Sequence, residues 1–155
     1  MSGMRSIDAE TLASYRTARY VVRTGSSELI LRLDVPNPDL AALMSTHGAT
    51  SACFVTAYNP FSQERTPAQN EAANSDLREW LEGQGWPILE GAGCCGDDDR
   101  DAELSFLVFG PEAEDAKAMC VKFNQNAVVF AGADAVPVLL FHPEVTFDDP
   151  GSAHD

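Results

Sequence analysis

The chain has 155 residues, 45% of them apolar and 22% charged, a size and balance that suit one globular domain with a core needing neither disulfide nor metal. Twenty-four acidic residues against ten basic ones leave a net charge of −14, a field that repels phosphate backbones and argues against nucleic acid as a partner. No stretch approaches the ~18 apolar residues of a membrane span and the first residues lack an apolar signal core, so a cytoplasmic protein without a membrane partner is expected.

In chain order, Asp8 is placed to cap a first helix with Leu12 and Tyr15 on one face. Arg19–Thr24 reads as a strand, Gly25-Ser26-Ser27 as a turn, and Glu28–Asp34 as the partner strand, where Leu29, Leu31 and Leu33 alternate with Glu28, Ile30 and Arg32. Asn37 and Pro38 open a short helix that Gly48 closes. Residues 1–48 are thus expected as a helix, a hairpin and a short helix packed on the main body.

Ala52–Tyr58 is an apolar strand without alternation, the pattern of a central strand covered on both faces. Thr66-Pro67-Ala68-Gln69 carries a capping box and a first-turn proline; the helix it opens runs to about Leu81 and stops at Gly83 and Gly85. Pro87–Glu90 reads as a brief strand and Gly91–Asp101 as a Gly-rich acidic loop. Glu103–Gly110 is a second apolar strand. The next helix, with Ala113, Ala116, Cys120 and Phe123 inward, ends at Asn124-Gln125-Asn126. Ala127–Ala131 and Val136–Phe141 read as two further strands around a Gly132–Asp134 turn. Residues 1–145 are expected as a single α+β domain, with 146–155 a disordered tail.

From Ala52 onward the order β-α-β-β-α-β is that of the ferredoxin-like split arrangement, with one extra C-terminal strand and the N-terminal helix and hairpin added. In that topology five segments meet at one sheet edge: Tyr58-Asn59-Pro60, the helix start at Thr66 and Asn70, the acidic loop, Glu103 with Ser105, and Phe123 with Gln125 and Asn126. The edge is rich in amides, which donate and accept hydrogen bonds and so suit the orientation of a small polar ligand as well as the tying down of loops. The candidate ligand-binding residues are therefore Tyr58, Asn59, Asn70, Ser105, Gln125 and Asn126, with Arg65 as the nearby positive charge. Glu103 is the candidate general acid or base, a carboxylate at the end of a central strand.

Other chemistries find less support. Ser105 has no G-x-S-x-G context and no histidine in its segment group. Cys53 and Cys120 fall at core positions, adjacent Cys94-Cys95 lack the partners of a zinc set, and Asp97–Asp99 lacks EF-hand spacing, so no metal and no cofactor is implied.

Four short blocks carry a resemblance: Thr56-Ala57-Tyr58-Asn59-Pro60; Asn70 on the following helix; Glu103-x-Ser105-x-x-Val108-x-Gly110; and Phe123-x-Gln125-Asn126-Ala127. In this order they resemble DUF3293, a bacterial family defined only as a domain of unknown function, over roughly Ala52 to Leu140. The resemblance implies no activity; Cys94-Cys95 and the Asp97–Asp99 run depart from it. Three functions stay open: a small-polar-ligand binding or regulatory module, an enzyme using Glu103 with amide orienting groups, and a protein-interaction domain without a ligand site.

Overall fold

The computed structural model describes residues 5–25, 27–58, 65–94 and 103–148. Its elements are β1 (Arg5–Asp8), α1 (Ala9–Thr17), β2 (Arg19–Thr24), β3 (Ser27–Leu31), α2 (Pro38–Thr46), β4 (Ala52–Val55), α3 (Pro67–Gln84), β5 (Ile88–Cys94), β6 (Glu103–Phe109), α4 (Ala113–Phe123), β7 (Ala127–Ala131), β8 (Val138–Phe141) and β9 (Val145–Asp148). This is an α+β protein. Seven strands form one curled sheet in the order β3-β2-β5-β6-β4-β7-β8, every neighbouring pair antiparallel.

The sheet is buried on both faces, which is why its inner strands read as continuous apolar runs. Along β4, Ala52 and Phe54 face one core with Leu107 and Phe109 of β6, Val129 of β7, the hairpin leucines Leu29 and Leu31, and Leu40 and Met44 of α2. Cys53 and Val55 face the opposite core with Phe106, Val108 and Val128, covered by Leu77 and Leu81 of α3 and Ala116, Met119 and Cys120 of α4. The hairpin continues the sheet instead of packing on it, because β2 pairs with β5. Beyond β3 and before β8 the chain sews the outer strands together: Asp34 N–H donates to Pro137 O at 2.8 Å and Asn37 N–H to Ala135 O at 3.1 Å.

The helix starts follow their local sequence. Asn37 Oδ1 accepts from Leu40 N–H at 3.0 Å, and at the head of α3 Thr66 Oγ1 accepts from Gln69 N–H at 3.1 Å while Gln69 Oε1 accepts from Thr66 N–H at 3.0 Å.

Several boundaries differ from expectation: β3 ends at Leu31 and not Asp34, α3 runs through Gly83 to Gln84, and β8 begins at Val138 and not Val136; three further differences bear on the site and the sheets. β4 ends at Val55, not Tyr58, for a reason that belongs to the site. β5 runs on through Gly91-Ala92-Gly93-Cys94, taken from its glycines to be loop; these residues pair with β2 and β6. Val145–Asp148 is a parallel partner of β1, so the residues from Thr146 to Asp148, assigned to a disordered tail, form a strand. The turn into that strand is organised by His142, buried at 7% exposure: its N–H donates to Asn126 O, its carbonyl accepts from Val145 N–H and its Nδ1 from Glu144 N–H.

Candidate functional site

The β4–β6 ladder proceeds from Ala52↔Phe109 to Val55↔Phe106 and then stops. Beyond it, side chains take over the strand hydrogen bonds. Asn74 of α3 reaches between the two strands, its Oδ1 accepting from Ala57 N–H at 2.8 Å and its Nδ2 donating to Leu104 O at 2.7 Å. Thr56 Oγ1 donates to the same carbonyl at 2.7 Å and accepts from Tyr58 N–H at 3.1 Å. An amide inserted in this way satisfies both edges while holding the strands apart, so β4 leaves the sheet here.

The end of α4 meets this split. Asn124 adopts a left-handed conformation (φ 56°) and Gln125 N–H bonds back to Cys120 O at 2.9 Å, the tight helix close that asparagine tolerates. The turn delivers Gln125, whose Nε2 donates to Tyr58 O at 3.2 Å and to Phe123 O at 3.3 Å. Its Oε1 has no hydrogen-bond partner among the described residues. Asn126 Nδ2 donates to the Tyr15 hydroxyl at 3.1 Å, and Tyr20 donates its own hydroxyl to Tyr15 O at 2.5 Å, which ties α1 and β2 to the same end.

Of the seven buried polar side chains among the described residues, five belong to this end: Asn70, Asn74, Ser105, Gln125 and Asn126. The expected gathering of Tyr58 with Gln125 is therefore present as a direct contact. Asn70 and Ser105 are 5% and 1% exposed, so both lie beneath the surface, and Arg65 is exposed. Asn59 and the acidic Asp97–Asp99 stretch lie outside the described residues, as does the Glu103 side chain; the Glu103 backbone is paired with Gly93. Asn74 is the residue that sequence reasoning passed over in favour of Asn70. Its signal was an asparagine on the α3 face otherwise marked by Leu77 and Leu81, a core position where leucine is expected.

Beside the split, between α3 and α4, lies an open groove of about 520 Å³. Ala57 and Ala73 form its small-residue floor, and Trp80 and Phe123 its aromatic wall, with ring centroids 5.7 Å apart at 68°. Asp76 and Glu79 from α3, Lys122 from α4 and Asn124, which caps the end of α4, line its walls. The amides and the groove are contiguous in the chain: Ala57 precedes Tyr58, Ala73 precedes Asn74, and Asn124 precedes Gln125. The amides shape this end of the sheet, and the groove is the space they leave.

Neither Cys53 nor Cys120 offers a nucleophile. Burial, with Cys120 close by, drives the Cys53 thiol far above its ordinary range, and burial pushes Cys120 up to about 12; its Sγ donates to Leu140 O at 3.8 Å. Both shifts are upward from an ordinary 9.0, so the stability that the neutral thiols contribute is complete below about pH 9 and is lost as pH climbs from there through about 12. We expect urea stability to fall across that alkaline window. Alkylation of Cys53 and Cys120 near neutral pH, read peptide by peptide by mass spectrometry, is expected to track global unfolding; rapid labelling of either thiol in the folded protein would refute this.

Among the described residues no cluster of His, Cys, Asp and Glu is arranged to hold a metal, and no helix is long and apolar enough to cross a membrane. Residues 55–128 match the family model described as Protein of unknown function (DUF3293), which supports the resemblance to that family over that stretch. The match takes in the strand split, Asn70, Asn74, Ser105, Gln125, Asn126 and the whole lining of the groove, while Tyr15 and Tyr20 precede it. No curated protein and no solved structure matches the chain.

Proposed function

We propose that the DUF3293 region is a binding or regulatory module for a small polar ligand, held in the groove that opens beside the β4–β6 split. The observation that carries this reading is the groove itself. Its volume of about 520 Å³ falls within the range of small-molecule sites, roughly 300–1,000 Å³, and it joins an aromatic wall to charged and amide side chains that can orient a polar ligand. The buried amides support it from beneath: Asn74 sets the position of Ala57 in the floor, and Gln125 fixes the carbonyl of Tyr58 next to it. In this reading Tyr58 and Gln125 border the ligand, and Asn70, Ser105 and Asn126 are the buried frame. The core that carries the groove, β4-α3-β5-β6-α4-β7, is best read as a ferredoxin-like unit; its antiparallel order β7-β4-β6-β5 supports this, with β8 as the added strand and β2 and β3 extending the far side.

The test is thermal-shift screening of wild type and Ala73→Met against a panel of small polar metabolites. Ala73 is half-buried in the groove floor, and methionine suits a helix while filling the space. A ligand that binds the native groove raises the wild-type midpoint and leaves the variant unmoved, since only contacts made in the folded state stabilise it. Equal stabilisation of both proteins, or of neither across the panel, overturns the proposal.

A further inference from the structure

Three charged side chains line the groove, and their arrangement points to a particular chemical class. Asp76 and Glu79 stand three residues apart on α3, so they are neighbours on one wall, while Lys122 comes from α4. None of the three takes part in an ion pair among the described residues, although charges of both signs share one groove. Lys122 is instead drawn over the aromatic wall, its Nζ 5.7 Å from the Trp80 ring centroid and 5.8 Å from that of Phe123. Opposite charges on separate helices are therefore held apart across an apolar floor.

We propose that this groove takes a zwitterion: a small molecule with an ammonium group toward Asp76 and Glu79, a carboxylate toward Lys122, and a short apolar body over Ala57 and Ala73 against the rings. The proposal rests on the groove being the ligand site and names what the site selects. A dicarboxylate would set one of its charges against Asp76 and Glu79, and a diamine would set one against Lys122. The whole-protein field bears on the two ends unequally. A net charge of −14 draws an ammonium inward and repels a carboxylate, so acceptance of the carboxylate depends on Lys122, one of only two lysines in the chain.

The experiment compares three probes of equal apolar shape by amide chemical-shift titration of isotope-labelled protein: L-leucine, isopentylamine, which lacks the carboxylate, and isocaproate, which lacks the ammonium. L-Leucine is expected to shift the amides of Ala57, Ala73, Phe123 and Asn124 and to bind about three- to fivefold more tightly than either analogue, the scale of one solvent-exposed charge contact. Lys122→Gln should abolish the advantage over isopentylamine alone, and the double variant Asp76→Asn with Glu79→Gln the advantage over isocaproate alone; all three positions are exposed on helices, so folding is not at stake. Isopentylamine binding as tightly as leucine, or indifference of leucine to Lys122→Gln, overturns the zwitterion while leaving the groove as a site for cations. If no probe moves the groove amides but a ligand from the thermal-shift panel does, the class is wrong and the site stands; if neither finds a ligand there, both fall.

Discussion

Replacing Asn74 by alanine is expected to destabilise the protein by about 2–4 kcal/mol, several times the cost of a typical surface change. Asn74 is 3% exposed, and its two amide atoms are the partners of Ala57 N–H and Leu104 C=O at the point where β4 and β6 part. Truncation leaves the Ala57 donor without its partner in a buried setting, at about 1–3 kcal/mol, removes one of two bonds to the Leu104 carbonyl and opens a void at the base of α3. Thr56 Oγ1 still donates to Leu104 O, so the strand end is weakened and not abandoned. Urea denaturation measures the loss, and hydrogen exchange locates it: the Ala57 amide should lose protection beyond what the global change accounts for. Because Ala57 is the groove floor, the same variant should also weaken any groove ligand. A cost below ~1 kcal/mol with Ala57 still protected would mean that the strands part for some other reason.

The polar end illustrates what sequence reasoning can and cannot reach. Local signals were legible because each is carried by residues a few positions apart: the Thr66–Gln69 box, the Asn37 cap, and the alternating leucines of β3, of which Leu29 and Leu31 are buried while Ile30 is 37% exposed. The direction of the chain then sufficed to bring Tyr58 and Gln125 to one edge, and they touch. What stayed hidden depends on distant partners. The pairing of Arg5 with Val145 joins the two ends of the described chain, and nothing in either four-residue strand specifies the other. The amides suit a ligand lining and the tying down of loops equally, because an asparagine looks the same whether it meets a metabolite or a backbone. The structure adds their bonding: Asn74 holds Ala57 and Leu104, and Asn126 holds the Tyr15 hydroxyl. The groove was not legible at all. It is bounded by the segment after β4, by α3 and by the end of α4, and its floor exists because two of its residues are alanines.

The same limit explains why β5 was cut short at Glu90, and it sets up the second large effect. Gly91 and Gly93 lie two residues apart on one strand, and we expect Gly91→Ala to cost about 3 kcal/mol or more while Gly93→Ala stays within about 1 kcal/mol. Gly91 sits between Val22 of β2 and Ser105 of β6 in the ladders. A methyl group there would run into the carbonyl oxygen of Val21, a backbone atom that cannot step aside, and would stand 3.1 Å from Cε2 of Phe54. That ring is itself held edge-on to Tyr20, with centroids 5.5 Å apart, so it has little room to retreat. At Gly93 the added methyl would meet only Cδ1 of Tyr20 at 4.0 Å, an ordinary contact, so the net effect is small. The composition that reads as a loop is thus a strand whose backbone must come close to its neighbour. Paired urea titrations of the two variants measure the difference directly, with the slope showing whether the denatured or native state has also changed compactness. Gly91→Ala should lower the midpoint far more than Gly93→Ala; equal midpoints would show that β2 and β5 can separate at no cost, and that the glycine at 91 is there for its flexibility and not for the space it leaves.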